Sequence, residues 1–136
     1  MESHDAPPLH GFSHVSLSVA DIVVSAAFYE DLFGFSVIDR VDEADFVEWI
    51  LEHPSEMLLC LQQHRSHSVG AFDPTTVGLD HLAFAVSTRE QLDNWARRLD
   101  ARNVAYTPIV DMQSYGAVLC LRDPDDIQLE LHWRQT

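Results

Sequence analysis

Residues 13–19 alternate, with Val15, Leu17 and Val19 on one side and His14, Ser16 and Ser18 on the other. A period of two marks a half-buried strand. The pattern then changes to that of a helix. Asp21 is placed to cap it, Ile22, Phe28, Tyr29 and Leu32 supply its apolar faces, and Gly34 is a natural stop. Three more strands are predicted near 36–41, 45–52 and 57–62. Residues 63–80, with Gly70, Pro74 and Gly78, read as a linker. The same order then returns. Residues 81–87 alternate, setting Leu82, Phe84 and Val86 against His81, Ala83 and Ala85. Thr88-Arg-Glu-Gln91 fits a capping box ahead of a stripe of Leu92, Trp95 and Leu99. Strands are expected near 103–109, 115–122 and 127–133.

The return is a sequence repeat. His14-Val-Ser-Leu-Ser-Val19 lies over His81-Leu-Ala-Phe-Ala-Val86 at an offset of 67. The register continues with Phe28 over Trp95, Leu32 over Leu99 and Val37 over Val104. His53-Pro-Ser-Glu-Met-Leu-Leu-Cys-Leu61 then lies over Asp123-Pro-Asp-Asp-Ile-Gln-Leu-Glu-Leu131 at an offset of 70, so the second copy carries a three-residue insertion. Three ordered matches predict a duplicated βαβββ unit. The expectation is one α+β domain over 1–136, with modules at 11–62 and 81–133 joined by the 63–80 linker.

Composition narrows the classes of function. The 136 residues carry 22 acidic and 8 basic side chains, a formal charge of −14. Such a field repels phosphate backbones and anionic lipid, which argues against nucleic-acid and membrane roles. No apolar run approaches the roughly 18 residues that would span a bilayer. Met1–Leu9 lacks the basic and apolar regions of a signal peptide. Cys60 and Cys120 stand in no metal or redox spacing and read as reduced thiols of a cytoplasmic protein.

The bulky strand faces should pack on the helices. That leaves His14 and His81 on faces kept sparse by small residues, where a cavity could sit. Glu130 shares a face with Gln128 and His132, opposite Leu129, Leu131 and Trp133. A carboxylate in mid-strand is costly unless it is paired or bound to a cation. Two imidazoles and one carboxylate can fill one face of a divalent ion and leave its other positions open. One strand histidine alone reads as a satisfied core or rim residue. Two at repeat-equivalent positions, with Glu130, read as the metal set His14, His81 and Glu130, which repeat symmetry is expected to bring together. Cys60 is the repeat-equivalent of Glu130 and a candidate fourth position, although a small buried hydrophobe is the commoner fate of a free cysteine. Cys120 reads as core. His132 is a candidate proton shuttle or an exposed strand end, and Trp49 a cavity wall or core. His64 and His67 fall in the linker and read as solvated.

Taken together, several segments resemble the vicinal oxygen chelate superfamily: His14 and His81 opening their strands, Phe28-Tyr-Glu-Asp-Leu-Phe-Gly-Phe35, and Leu121-Arg-Asp-Pro-Asp-Asp-Ile-Gln-Leu-Glu130. That superfamily includes glyoxalase I, extradiol ring-cleaving dioxygenases, fosfomycin-resistance enzymes and bleomycin-resistance proteins. The resemblance implies paired βαβββ modules curling into a cup-shaped mixed sheet around a metal held by His14, His81 and Glu130. The open metal positions would bind two neighbouring oxygens of a small-molecule substrate. It also makes Tyr115 a candidate acid or hydrogen-bond donor, as a tyrosine serves in the dioxygenases. Asp126 stands where the turn usually has glycine. Cys60 stands where glyoxalase I has a second glutamate, so dioxygenase-like chemistry is favoured over a glyoxalase-like lyase or isomerase step. Fe2+ or Mn2+ is favoured over Zn2+ or Ni2+, and a homodimer is expected. The competing expectation is a bleomycin-resistance-type protein sequestering a cationic or aromatic small molecule. The net charge suits that reading, and the retained metal set opposes it.

Overall fold

Both halves of the chain fold by the same local rules. The computed structural model describes residues 6–66 and 70–135. In the first half β1 (Val15–Ser18) leads into α1 (Ile22–Phe33), then β2 (Ser36–Asp42), β3 (Phe46–Glu52) and β4 (Leu58–His64). In the second, β5 (Leu82–Ala85) leads into α2 (Arg89–Ala101), then β6 (Val110–Asp111), β7 (Ala117–Arg122) and β8 (Gln128–Trp133). The Asp21 carboxylate accepts from the Val23 and Val24 amides, and Gly34 ends α1 in the left-handed region at φ +83°. Thr88 caps α2 by accepting from the Gln91 amide. The Gln91 side chain turns to Asn94, so only half of the expected capping box forms among the described residues.

Each half builds its own mixed four-stranded sheet, ordered β1-β4-β3-β2 and β5-β8-β7-β6. β1 runs parallel to β4 and β5 parallel to β8. The registers carry the repeat: Ser16 opposes Cys60, and Ala83 opposes Glu130. The fold is the α+β pair of βαβββ modules that the sequence pattern implies. Leu17, Val19, Leu129 and Leu131 are buried, joining Tyr29, Leu32, Leu92 and Leu99 of the helices in one core. Ser16, Ser18, Ala83 and Ala85 are exposed on the opposite faces. No helix among the described residues is long and apolar enough to cross a membrane.

Three expected boundaries move. Over 103–109 only Tyr106 bridges to Leu121, and the Thr107 amide bonds the Cys120 carbonyl. Pro108 has no N–H to donate, so the ladder starts only at Val110. Gln113–Tyr115 winds into a 3-10 turn, and β7 begins at Ala117 rather than at Tyr115. β4 runs on to His64, inside the expected linker. His64 is half-buried there, with Nε2 3.4 Å from Ser18 Oγ and its ring 6.0 Å from Phe46, so it is not a solvated linker residue. His67 lies outside the described residues.

The modules meet through their helices and one turn. The Phe33 ring centre lies 5.1 Å from Phe84 and 5.4 Å from Trp95, and the Arg98 guanidinium donates to the Leu32 and Asp31 carbonyls. Beneath them Tyr29 Oη donates to Asp123 Oδ2 at 2.7 Å. Asp123 Oδ1 accepts from the Asp125 and Ile127 amides. Asp125 in turn accepts from the Ala20 amide and the Ser25 hydroxyl. Asp126 completes the turn at φ +66°, a conformation aspartate tolerates where glycine is usual.

Burial raises the Asp123 pKa, outweighing the Tyr29 and amide hydrogen bonds that lower it. The folded state therefore keeps this proton to higher pH than the unfolded chain does. Stability contributed by the group falls as pH rises from the ordinary carboxylate range through the raised value. Asp123→Asn is expected to flatten that fall in urea unfolding measured from acid to neutral pH. Tyr29→Phe, which strips a partner from a buried carboxyl, is expected to cost about 1–3 kcal/mol. A Tyr29→Phe protein as stable as the wild type would contradict this account of the module junction.

Candidate functional site

The open face of the second sheet gathers the groups singled out in the sequence. His81 stands just before β5, and its Nδ1 lies 2.8 Å from Asp80 Oδ1. Its Nε2 is then 3.6 Å from Glu130 Oε2. Glu130 is nearly buried, at 15% side-chain exposure against 40% for His81. The same Oε2 accepts from Gln128 Nε2 at 2.9 Å, so a neighbour on the strand face orients the carboxylate. His132, half-buried, lies with His81, Glu130 and Arg134 around a cavity of about 630 Å³. Cys120 opposes Glu130 in the β7–β8 register. It is half-buried rather than plain core, and burial, then the Glu130 charge, pushes its thiol pKa up.

His14 does not join them. Its Nδ1 lies 3.1 Å from Ser13 Oγ, which repeats the Asp80–His81 arrangement one module earlier. It lines a separate, largely apolar groove of about 500 Å³ with Phe12, Phe35, Met57 and Phe84. Among the described residues no three His, Cys, Asp or Glu side chains converge to hold a metal ion. The reason is topological. β1 and β5 belong to separate sheets, so the repeat makes the two histidines equivalent without making them neighbours.

The remaining candidates scatter. Cys60 is buried on the first sheet, and burial, then the charge of Glu48, raises its pKa and keeps the thiol protonated. Tyr115, on the 3-10 turn, is 75% exposed and lines neither cavity. Trp49 is half-buried under the Arg40 guanidinium, 4.6 Å from its ring centre. Sequence reasoning missed Asp80 and Arg134. A signal for Asp80 was available: a hydrogen-bonding side chain precedes each strand-opening histidine, Ser13 before His14 and Asp80 before His81.

A family model described as the Glyoxalase/Bleomycin resistance protein/Dioxygenase superfamily matches residues 11–131. The chain belongs to that superfamily. Among solved structures of the superfamily's fold, a glyoxylase/bleomycin resistance protein/dioxygenase domain from Frankia sp. EAN1pec is 31% identical. It matches with a TM-score of 0.86 over 94% of each chain. The uncharacterized protein YaeR of Escherichia coli is 29% identical over 122 residues, 88% of this chain and 92% of its own. The fosfomycin resistance protein FosX of Listeria monocytogenes, in a complex with Mn(II), shares the fold at a TM-score of 0.67 and 21% identity. That match covers 94% of this chain and 95% of FosX.

Proposed function

We propose that this chain is a divalent-metal-dependent enzyme, working as a homodimer on a small molecule that chelates through adjacent oxygens. The observation that carries the reading is His81 Nε2 beside Glu130 Oε2, with Nδ1 tied to Asp80. A neutral imidazole whose Nδ1–H is held by a carboxylate presents Nε2 as a lone-pair donor. Two donors on one ion, with bonds of roughly 2.0–2.2 Å, stand about 3–3.5 Å apart. The 3.6 Å separation lies just beyond that range, so a small inward movement of either side chain would bring both donors onto one ion.

A second copy supplies the third donor, His14, in this reading. Both β1 and β5 are edge strands with small exposed side chains on their open faces. Edges of this kind favour pairing. Leu9 and Phe12, just before His14, are 92% and 99% exposed, which leaves apolar surface for a partner to cover.

When bound, the metal would act as a Lewis acid on the chelated substrate oxygens. The protein groups have separate tasks. Gln128 fixes the Glu130 carboxylate, and Asp80 fixes the His81 tautomer. The His132 imidazole, two residues along the same strand face, is placed to exchange a proton with bound substrate. Cys60, a protonated thiol at the repeat-equivalent of Glu130, offers no carboxylate for glyoxalase-type proton transfer. Dioxygenase-like chemistry is therefore favoured over a lyase or isomerase step, with Fe2+ or Mn2+ as the ion. The Mn(II) complex of FosX supports the choice of ion.

Anaerobically purified protein is expected to take up one Fe2+ or Mn2+ per chain and to turn over a member of a catechol panel. A protein that binds no metal yet holds bleomycin would overturn the enzyme reading in favour of sequestration. Asp80→Ala is expected to weaken Mn2+ binding by roughly 10–100-fold, as loss of an orienting partner does. Unchanged affinity in a Mn2+ titration would remove Asp80 from the account.

A further inference from the structure

We infer that the His81–Glu130 cavity takes substrates bearing an anionic group, a carboxylate or a phosphoryl oxyanion, and that Arg134 holds it. All eight basic side chains of this chain are arginine. Arg65, Arg89 and Arg102 pair with Asp42, Asp111 and Asp31. Arg98 and Arg122 donate to backbone carbonyls, Arg97 to Asn94, and Arg40 lies on Trp49. Among the described residues Arg134 alone has no such contact, in a chain with 22 carboxylates to offer. It lines the cavity that contains His81, Glu130 and His132.

Strand periodicity explains the placement. Glu130, His132 and Arg134 follow one another at a spacing of two, so the face that carries the carboxylate continues to the arginine just beyond β8. Four residues of strand span about 13 Å between Cα atoms, and the arginine side chain can reach back over part of that distance. The gap suits a small molecule with chelating oxygens at one end and an anion at the other. A guanidinium presents a planar fork of donors that matches carboxylate and phosphoryl oxygens bidentately. The net charge of −14 opposes an anion only at long range. At physiological salt that field is screened beyond about 8 Å. The nearby groups decide the sign: Arg134 and the divalent ion of the metal reading stand against the carboxylates of Glu130 and, behind His81, Asp80.

This inference rests on the metal reading above, and one experiment separates the two. Mn2+-loaded protein is titrated calorimetrically with acetohydroxamate, a vicinal-oxygen chelator with no anionic group beyond the chelating one, and with its phosphonoacetyl and succinyl counterparts, which add a phosphonate or a carboxylate. The wild type is expected to bind one or both anionic probes on the order of 10- to 100-fold more tightly than acetohydroxamate. Arg134→Gln is expected to abolish that preference while leaving acetohydroxamate binding unchanged, and Arg134→Lys to keep part of it. Which probe gains identifies the anion. Equal binding of all three probes by the wild type, or an undiminished preference in Arg134→Gln, overturns the anion inference and leaves the metal reading standing. Failure to bind Mn2+ at all overturns both.

Discussion

Replacing Gly116 with alanine is expected to destabilise the protein by about 2–5 kcal/mol, seen as a lower midpoint of urea unfolding. Two effects add. Gly116 lies at φ +114° and ψ −138°, a region that residues with a Cβ occupy only under strain. A Cβ there would also overlap the Trp133 carbonyl oxygen, with the carbonyl carbon at 2.8 Å and Arg134 Cα at 3.1 Å. Those atoms are backbone, and Ala117 pairs with Trp133, so β7 and β8 would have to separate. Gly34 provides the control. It too has positive φ, at +83°, but nothing lies within 4 Å of its Cβ position. Gly34→Ala should therefore cost only the conformational strain, about 1 kcal/mol. Equal costs at the two glycines would contradict the clash.

The second large effect falls on the metal. Removing either donor, as His81→Ala or Glu130→Ala, is expected to reduce Mn2+ affinity by more than the roughly 10–100-fold assigned to an orienting partner. Glu130→Gln tests charge apart from shape. It keeps an oxygen that Gln128 can bond but removes the negative charge that a cation needs. The ranking expected from competitive chelator titration is wild type, then Asp80→Ala, then His81→Ala and Glu130→Ala. If Asp80→Ala proved worse than Glu130→Ala, the donor assignment would be inverted, with Asp80 ligating and Glu130 supporting.

Much of the fold was legible because period-two and helical patterning are local properties, and duplication wrote them twice. The offsets of 67 and 70 reappear as the matching registers Ser16–Cys60 and Ala83–Glu130. Glu130 stood out for a physical reason, a carboxylate in the middle of a half-buried strand, and it does lie beside His81. What sequence could not supply was the relation between the modules. Equivalence under a repeat gives no distance, and His14 lies in its own groove because β1 and β5 never pair within the chain. The strand expected over 103–109 failed for a local reason, the missing N–H of Pro108. The charge of −14 suits a cationic ligand, whereas the one arginine without a partner among the described residues lines the cavity and favours an anion; the probe titration above decides between them.

In the proposed dimer a metal site is shared between two copies, with His14 from one and His81 and Glu130 from the other. The direct measurement is a Mn2+ titration of His14→Ala and Glu130→Ala proteins, first separately and then after mixing under conditions that exchange subunits. Each variant alone is expected to bind no Mn2+ tightly. In a mixed dimer one site loses both His14 and Glu130, while the other is intact, so tight binding should return at one ion per mixed dimer. A His14→Ala protein that keeps wild-type affinity, or a mixture that recovers no binding although subunits exchange, would contradict the shared site.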